Sequence, residues 1–289
     1  MSTAIYESVT NRIVEALKEG VVPWKKPWHT LSSLPVNTIT QKPYRGINPF
    51  LLSLAPHTDH RWLTFKQLGL RGGTVRKGER ASMVVFWKHW EPPADATDEE
   101  AEAGRKQHRI PLLRYYLVFN LEQCEAHGFP ELYVPPNPTE PERFTAARMI
   151  ASSMPNPPRQ IEGKNAWYRP ADDLVQVPPP QAFDRGDDYF ATLFHELAHA
   201  TGHESRLNRP GVTGQVQFGS GEYSKEELVA ELTSAFCCAA SRLDTSVTES
   251  AASYISGWLE LIQSDPKAMV IAAAQAQKAA DYIQGVTYP

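Results

Sequence analysis

The apolar residues near the start of the chain recur every three or four positions. Over residues 4–19 they form one apolar face, and Gly20 ends the pattern. Spacing of this kind predicts an amphipathic helix that buries its apolar face. The face comprises Ile5, Val9, Ile13, Val14 and Leu17.

Two runs rich in β-branched and aromatic residues follow, at 82–87 and 110–124. Together with the glycine turns before the first run, this composition predicts two strands, and we expect both in one sheet. The segment between them, 91–109, is acidic and then basic, without an apolar period. We therefore expect a mobile surface insertion within the first domain.

Five prolines lie within residues 129–142. Proline disfavours regular structure, so this segment predicts a linker that separates two bodies. We place an N-terminal domain at 1–128 and a second domain at 143–289, each long enough for a core of ordinary size. The mixture of helical and strand patterns predicts an α+β protein, with a mixed α/β first domain.

The second half combines helical patterns with one strand pair. Residues 167–169 and 174–177 predict two strands separated by a turn, and helices are expected at 144–154 and around residue 195. A further helix is predicted at 225–236, with Ser224 as its N-cap.

The stretch HELAHATGH, from His195 to His203, carries the clearest chemical signal. Residues four apart share one helix face, so His195 and His199 would present two imidazoles to one point. Glu196 lies at the edge of that face, where it could take a proton from a water activated by the metal. This is the HExxH pattern of zinc peptidases. The helix around it is mostly apolar, which favours a real site over a chance pair of histidines.

A catalytic zinc site needs a third protein ligand. Glu227 and Glu231 lie four apart, so if Glu227 binds the metal, Glu231 can accept a hydrogen bond from a ligating histidine. Glu231 is also the alternative ligand, and Glu226 is expected to be a solvated charge. His203 is the other rival, although three histidines in a row cannot surround a tetrahedral ion unless Gly202 ends the helix.

Two imidazoles and a carboxylate offer only nitrogen and oxygen ligands. This donor set predicts one divalent metal, with zinc as the first choice and manganese as the alternative.

Charge is distributed unevenly along the chain. The whole protein carries a net charge of −4, but residues 1–90 hold 13 Lys and Arg against 5 Asp and Glu, a net charge of +8. The remainder is correspondingly acidic. A basic half beside an acidic half predicts that only the first meets a polyanion.

Aromatic rings alternate with these cations in the first half. Single-stranded nucleic acid uses this combination, because unpaired bases stack on rings while phosphates contact Lys and Arg. The alternative is that the tryptophans anchor the core, which is the usual role of a single tryptophan. For the ensemble we favour DNA binding, with the candidates Trp24, Lys25, Lys26, Trp28, Tyr44, Arg45, Asn48, Arg61, Trp62, Lys66, Arg76 and Lys77.

The compartment can be inferred from what the sequence lacks. No apolar run approaches the ~20 residues of a membrane span, and the N-terminus has no signal-peptide core. Cys124, Cys237 and Cys238 form neither a CxxC pair nor a disulfide framework, so we expect them to pack. The expected location is the cytoplasm.

Several short motifs resemble those of one family over nearly the whole chain. VPWKKPW, NTITQKPYRGIN, RWLTFKQ, GGTVRKGE and VVFWK precede the proline-rich segment, and HELAHATGH and EELVAEL follow it. Together they resemble plasmid-borne ArdC-type antirestriction proteins. The resemblance implies an N-terminal domain that binds single-stranded DNA and a C-terminal zincin-like domain akin to SprT and Spartan proteases. It also implies His195, His199 and Glu227 as metal ligands and Glu196 as the base.

Two interpretations of function follow. In the first, the protein binds single-stranded DNA and protects incoming plasmid DNA from host restriction during conjugation, and its peptidase fold cleaves or blocks a host restriction protein. In the second, it is mainly a protease of the Spartan type that uses DNA as a tether and cleaves DNA-bound proteins. A peptidase without a DNA partner would leave the basic, aromatic first half unexplained.

Overall fold

A computed structural model of the chain describes residues 2–25, 34–88, 97, 112–126, 128–133, 135–214, 221–244 and 251–286. Its first half mixes helices with short strands. In chain order these are α1 (Ser2–Lys18), β1 (Val36–Asn37), α2 (Asn48–Ser53), β2 (Arg61–Thr64), α3 (Phe65–Gly69), β3 (Thr74–Val75), β4 (Ser82–Lys88), β5 (Leu112–Asn120) and β6 (Cys124–Glu125).

The second half is richer in helix. It contains α4 (Glu140–Ser152), β7 (Arg159–Glu162), β8 (Trp167–Arg169), β9 (Leu174–Val177), α5 (Gly186–Thr201), α6 (Pro210–Thr213), α7 (Gly221–Ser241), α8 (Ala251–Ser264) and α9 (Ala268–Ile283). The α+β class predicted from the sequence is confirmed.

Local patterns predicted several of these elements. The amphipathic helix at the N-terminus, the antiparallel pair β4 and β5 and the antiparallel pair β8 and β9 are all present. One detail was wrong: Ser224 lies inside α7 instead of capping it, because the helix begins at Gly221. The insertion predicted at 91–109 lies outside the described residues except for Thr97.

The main sheet has the strand order β1-β2-β5-β4. Strand β5 is antiparallel to both of its neighbours, and its Tyr115 is opposite Val85 of β4. One face of the sheet contributes Val85 and Leu113 to the main core. The other face carries Val84 and Val118 in a small separate cluster. The two faces therefore have different surroundings.

A smaller sheet lies beside the HExxH helix. Its order is β7-β9-β8, with β7 parallel and β8 antiparallel to β9. Leu174 and Val175 of the central strand are buried, and both β8 and β9 contact α5. Strand β8 therefore lies at a sheet edge next to the HExxH helix.

The two halves of the chain share one apolar core. It extends from α1 and α2 to α5, α7, α8 and α9 without interruption. The ring centroids of Phe50 and Phe236 are 5.0 Å apart. Those of Trp24 and Trp258 are 5.2 Å apart, with the rings edge to face. The halves therefore pack directly against each other.

Polar contacts reinforce this junction. Thr10 Oγ1 donates to the carbonyl of Pro266 at 2.8 Å, and the N–H of Gly46 donates to Gln277 Oε1 at 3.1 Å. Arg45 forms an ion pair with Asp281.

The proline-rich segment connects two halves that pack directly against each other. Its described residues before Glu140 form no helix or strand, but its end belongs to α4. A capping box between Thr139 and Glu142 starts that helix, and Pro141 fits its first turn, where no backbone donor is needed. Proline content alone could not reveal that the flanking halves bury apolar surface against each other.

Among the described residues, no helix combines the length and the apolar character needed to cross a bilayer.

The shared core predicts that both halves unfold together. Phe236→Ala removes a buried ring that touches Phe50, so the free energy of unfolding should fall by about 3–5 kcal/mol. Hydrogen exchange should then quicken in β5 as well as in α7. The exposed Met149 provides the control, since Met149→Ala should change stability by less than about 0.5 kcal/mol. Faster exchange confined to the second half would contradict a common core.

Candidate functional site

Helix α5 presents the HExxH residues on a rigid, buried support. Phe194, Leu197 and Ala198 are fully buried and hold the helix against the core. The helix ends at Thr201, and Gly202 follows as its C-cap residue. The helix axis is therefore fixed at the point where the imidazoles project.

The two imidazoles converge with one carboxylate from α7. His195 Nε2 and His199 Nε2 are 3.1 Å apart. Glu227 reaches both, with Oε2 at 3.5 Å from His195 Nε2 and Oε1 at 3.6 Å from His199 Nε2. One ligand atom from each of the three residues lies within 4.8 Å of the others, a grouping that could hold a metal ion.

The other ring nitrogens face two further carboxylates of α7. Glu231 Oε1 lies 3.8 Å from His195 Nδ1, and Glu226 Oε1 lies 3.4 Å from His199 Nδ1. A carboxylate beside Nδ1 favours the tautomer with the proton on that nitrogen. The two Nε2 lone pairs are then directed at each other across 3.1 Å, which is repulsive unless a cation lies against both. These residues therefore fit a divalent metal.

Glu226 departs from the sequence prediction, which treated it as a solvated charge. Its side chain is buried, and Arg209 donates to it through both Nε and Nη2. The same guanidinium donates to the hydroxyl of Thr201 at 2.6 Å and to the carbonyl of Ala198 at 2.7 Å. Arg209 thus links the end of α5 to the carboxylate beside His199.

Gly202 leaves the space in which Arg209 approaches Glu226. A Cβ at this position would lie 2.4 Å from Val212 Cγ2 and 3.0 Å from Arg209 Nη2. Any side chain here would displace the segment that brings Arg209 to Glu226.

The electrostatic field of the site favours a positive charge. Burial by itself lowers the pKa of His195, but its hydrogen bond to Glu227 and the charges of Glu231 and Glu196 outweigh burial and raise that pKa. Burial raises the pKa of Glu227, yet His195 and His199 lower it well below its ordinary value. Without a metal, a proton on His195 provides the positive charge that the carboxylates stabilise.

Glu196 lies in a different environment from the acids of α7. It is 7% exposed, and burial raises its pKa although His195 and His199 oppose the change. The backbone N–H of Tyr168, in the edge strand β8, donates towards its carboxylate. A buried carboxylate with a raised pKa is suited to exchange a proton near neutral pH.

The rival ligand His203 lies apart from this group. Its Nδ1 is 2.9 Å from Ser205 Oγ. Among the described residues, the group that could hold a metal ion does not include it.

Several predicted DNA-binding residues are buried, which corrects the expectation that they contact bases. Trp24 is only 2% exposed and packs on Trp258, so its ring belongs to the core. Asn48 uses its side-chain amide to bridge the backbone of Val85, donating at 2.8 Å and accepting at 2.7 Å. The buried members of the predicted set are Trp24, Tyr44, Asn48 and Trp62.

The predicted basic residues divide into two groups. Arg61 binds Asp59 and the carbonyl of Pro130, and Arg76 donates to the carbonyl of Glu122. Arg45 pairs with Asp281, as described above. Lys66 and Lys77 are exposed and Lys25 is partly exposed, whereas Lys26 and Trp28 lie outside the described residues.

Exposed aromatic residues also occur on β4 and β5, at positions outside the predicted DNA-binding set. Phe86 is 42% exposed and Tyr116 is 46% exposed, and their ring centroids are 5.7 Å apart. Arg114 lies opposite Phe86 in the strand register. Assigning that register to the two predicted strands would have placed these residues on one face.

Two family profiles match different parts of the chain. The profile described as the N-terminal domain of the anti-restriction factor ArdC matches residues 3–119. The profile of a zincin-like metallopeptidase matches residues 146–275, which include the converging histidines and Glu227.

Similar proteins extend the comparison to nearly the full length. The uncharacterized protein y4eC of Sinorhizobium fredii is 37% identical over 288 residues, covering 97% of this chain and 92% of that protein. A DNA primase TraC of Escherichia coli is 34% identical over 295 residues, covering 96% of this chain but only 27% of the primase.

Solved structures agree with these matches. The Mn(II)-bound crystal structure of the antirestriction protein ArdC from plasmid R388 matches with a TM-score of 0.74 and 31% identity over 96% of both chains. Its metal-free structure gives the same TM-score at 33% identity, with the same coverage. Because the likeness includes both halves of the fold and the zincin-like centre, this chain belongs to the ArdC family of antirestriction proteins.

Proposed function

We propose that this protein is an antirestriction factor that binds single-stranded DNA and carries a divalent-metal-dependent peptidase site. The observation that carries the proposal is the convergence of two imidazole Nε2 atoms, 3.1 Å apart, on the carboxylate of Glu227. In the proposed site His195, His199 and Glu227 bind the ion and Glu196 acts as the base. In this proposal Glu231 lies beside His195 Nδ1 without binding the ion, and His203 is not a ligand.

The identity of the ion follows from the ligands and the relatives. Two imidazoles and one carboxylate suit zinc, and they also accept manganese. The R388 ArdC protein was solved with Mn(II), which supports manganese as an alternative in this chain. We propose zinc as the first choice.

The chemistry assigned to the chain's own residues is proton transfer and positioning. When bound, the ion supplies Lewis acidity towards the scissile carbonyl. Glu196 takes a proton from the attacking water and delivers it to the leaving amine, a role favoured by the raised pKa that burial gives it. The edge strand β8, next to Glu196, can pair with an extended peptide substrate through its backbone.

The DNA part of the proposal rests on charge and on the relatives. The net charge of +8 over residues 1–90 favours a polyanion, and Lys66 and Lys77 remain exposed in this half. A segment similar to nearly the whole chain occurs within a DNA primase, which supports a nucleic-acid partner here. In this proposal the protein acts in the cytoplasm, where it protects incoming plasmid DNA from host restriction during conjugation.

A second function is a DNA-tethered protease of the Spartan type, whose main role is to cleave DNA-bound proteins. The burial of Glu196 beside both histidines favours retained chemistry, because a purely blocking scaffold has no need of a base in that position. The two functions differ in the main role, which is protection from restriction in the first and cleavage of DNA-bound proteins in the second.

The metal site predicts stabilisation by a divalent ion. At a free ion concentration of about 100 times Kd, zinc or manganese should add about 2.7 kcal/mol to the free energy of unfolding. Glu227→Gln should lose most of this gain, whereas His203→Gln should keep it. Thermal unfolding with and without chelator measures the effect, and elemental analysis gives the bound metal. Loss of the ion from the His203 variant but not from the Glu227 variant would reverse the assignment.

The position of Glu226 predicts that its substitution changes the affinity for the metal without changing the metal ligands. Because it lies beside His199 Nδ1, Glu226→Gln should weaken metal binding by about 10–100-fold, as removal of such outer partners does. Glu222 is an exposed acid of the same helix, so Glu222→Gln controls for the loss of one charge. Competition titration with a metal indicator measures both. Equal weakening in the two variants would point to long-range charge instead of the contact with His199.

Substitution of Glu196 distinguishes a proteolytic role of the peptidase fold from a blocking role. Glu196→Gln should lower peptidase activity by about 10²–10⁴-fold, while metal content and DNA affinity remain at wild-type levels. Casein or peptide cleavage measures activity, and plasmid transfer into restricting and non-restricting recipients measures protection. Protection that survives assigns a blocking role to the peptidase fold, and protection that is lost requires proteolysis. A variant that no longer binds DNA would show that the two activities share residues.

A further inference from the structure

The outer face of strands β4 and β5 carries an unusual set of side chains. In an antiparallel pair, residues opposite each other share a face, and positions two apart along a strand return to it. Val84 lies opposite Tyr116, and Phe86 lies opposite Arg114. All four therefore project from the face that is turned away from the main core.

The rings on this face are supported from below. Tyr44 is buried, and its centroid is 6.3 Å from that of Phe86, which in turn is 5.7 Å from Tyr116. Beneath them lies the small apolar cluster of Tyr44, Leu52, Trp62, Val84 and Val118. The exposed rings are thus held in place by a packed floor, so little conformational freedom is lost when a ligand stacks on them.

The charged side chains that β4 and β5 carry on this face are all positive. Arg114 is exposed, and Lys88 follows Phe86 by two positions on the same face. Neither strand contains an Asp or a Glu over residues 82–88 or 112–120. Rings accompanied on their own two strands by cations and no acids are complementary to bases joined by phosphates, and they match the mixed polar rim of a protein partner poorly.

We propose that single-stranded DNA docks on this face, with bases stacked on Phe86 and Tyr116 and a phosphate beside Arg114. The proposal rests on the proposed function and specifies the surface that performs its DNA binding. Stacking needs only the π-face of a base, so this surface should bind with little sequence preference.

Tyr115 provides a control within the same strand. It is 54% exposed and is opposite Val85, on the other face of the sheet. Tyr115→Ala therefore removes the same kind of exposed ring from the adjacent position without touching the proposed surface.

The experiment measures binding of the full-length protein to a fluorescent oligothymidine by anisotropy at fixed salt. The wild type should bind, and Tyr116→Ala or Phe86→Ala should weaken binding by roughly 5–100-fold, the range expected for a lost stacking partner. Tyr115→Ala should bind like the wild type. Arg114→Gln should weaken binding and reduce its salt dependence, because one phosphate contact is lost.

Leucine variants guard against a folding artefact. Tyr116→Leu and Phe86→Leu keep apolar volume over the small cluster but remove the ring, so they should fold normally and still lose affinity. The thermal transition of each variant is compared with that of the wild type.

The outcomes separate this proposal from the function on which it rests. A wild-type protein that does not bind oligothymidine would overturn both. Wild-type binding that Tyr116→Leu and Phe86→Leu leave unchanged, or that Tyr115→Ala weakens equally, would overturn this surface alone. Unchanged DNA affinity with lost protection in recipient cells would assign the face to a protein partner, which also overturns the proposal.

Discussion

The packing of helix α5 against helix α7 is the contact on which the candidate metal centre depends. Alone, α5 offers two imidazoles and no third ligand. Once α7 lies against it, Glu227 meets both Nε2 atoms, while Glu226 and Glu231 each approach one Nδ1. Buried leucines of both helices hold this register. A slide of one helical turn, about 5.4 Å, would break all four contacts at once.

The convergence of His195 and His199 could be predicted from the sequence, because residues four apart share one helix face. Spacing alone left Glu227, Glu231 and His203 as alternatives for the third ligand, and it is the packing of α7 on α5 that places Glu227 beside both Nε2 atoms. The burial of Glu226 depends on Arg209, which precedes it by 17 residues and reaches it only because Gly202 leaves room. Local periodicity contains no information about such an approach.

The sequence also could not show which aromatic rings are exposed. Trp24 and Phe86 have similar sequence surroundings, since each is apolar and close to lysine or arginine. Trp24 is buried against Trp258, whereas Phe86 is exposed on the sheet face that is turned away from the main core. Composition correctly indicated a basic and aromatic half, but the choice of rings required the strand register and the position of the core. A proline-rich segment likewise does not reveal which apolar faces meet across it.

The shared core also affects how the coding sequence of such a protein can be transferred between genes. A fragment that encoded only one half would leave Phe50 or Phe236, with the apolar residues around it, facing water. Recombination within the chain would therefore produce aggregating fragments, whereas transfer of the complete unit would not. The match to a TraC primase has this form, since it takes in 96% of this chain and occupies 27% of the larger protein. In that match the two halves occur together within the larger protein, as their common interior requires.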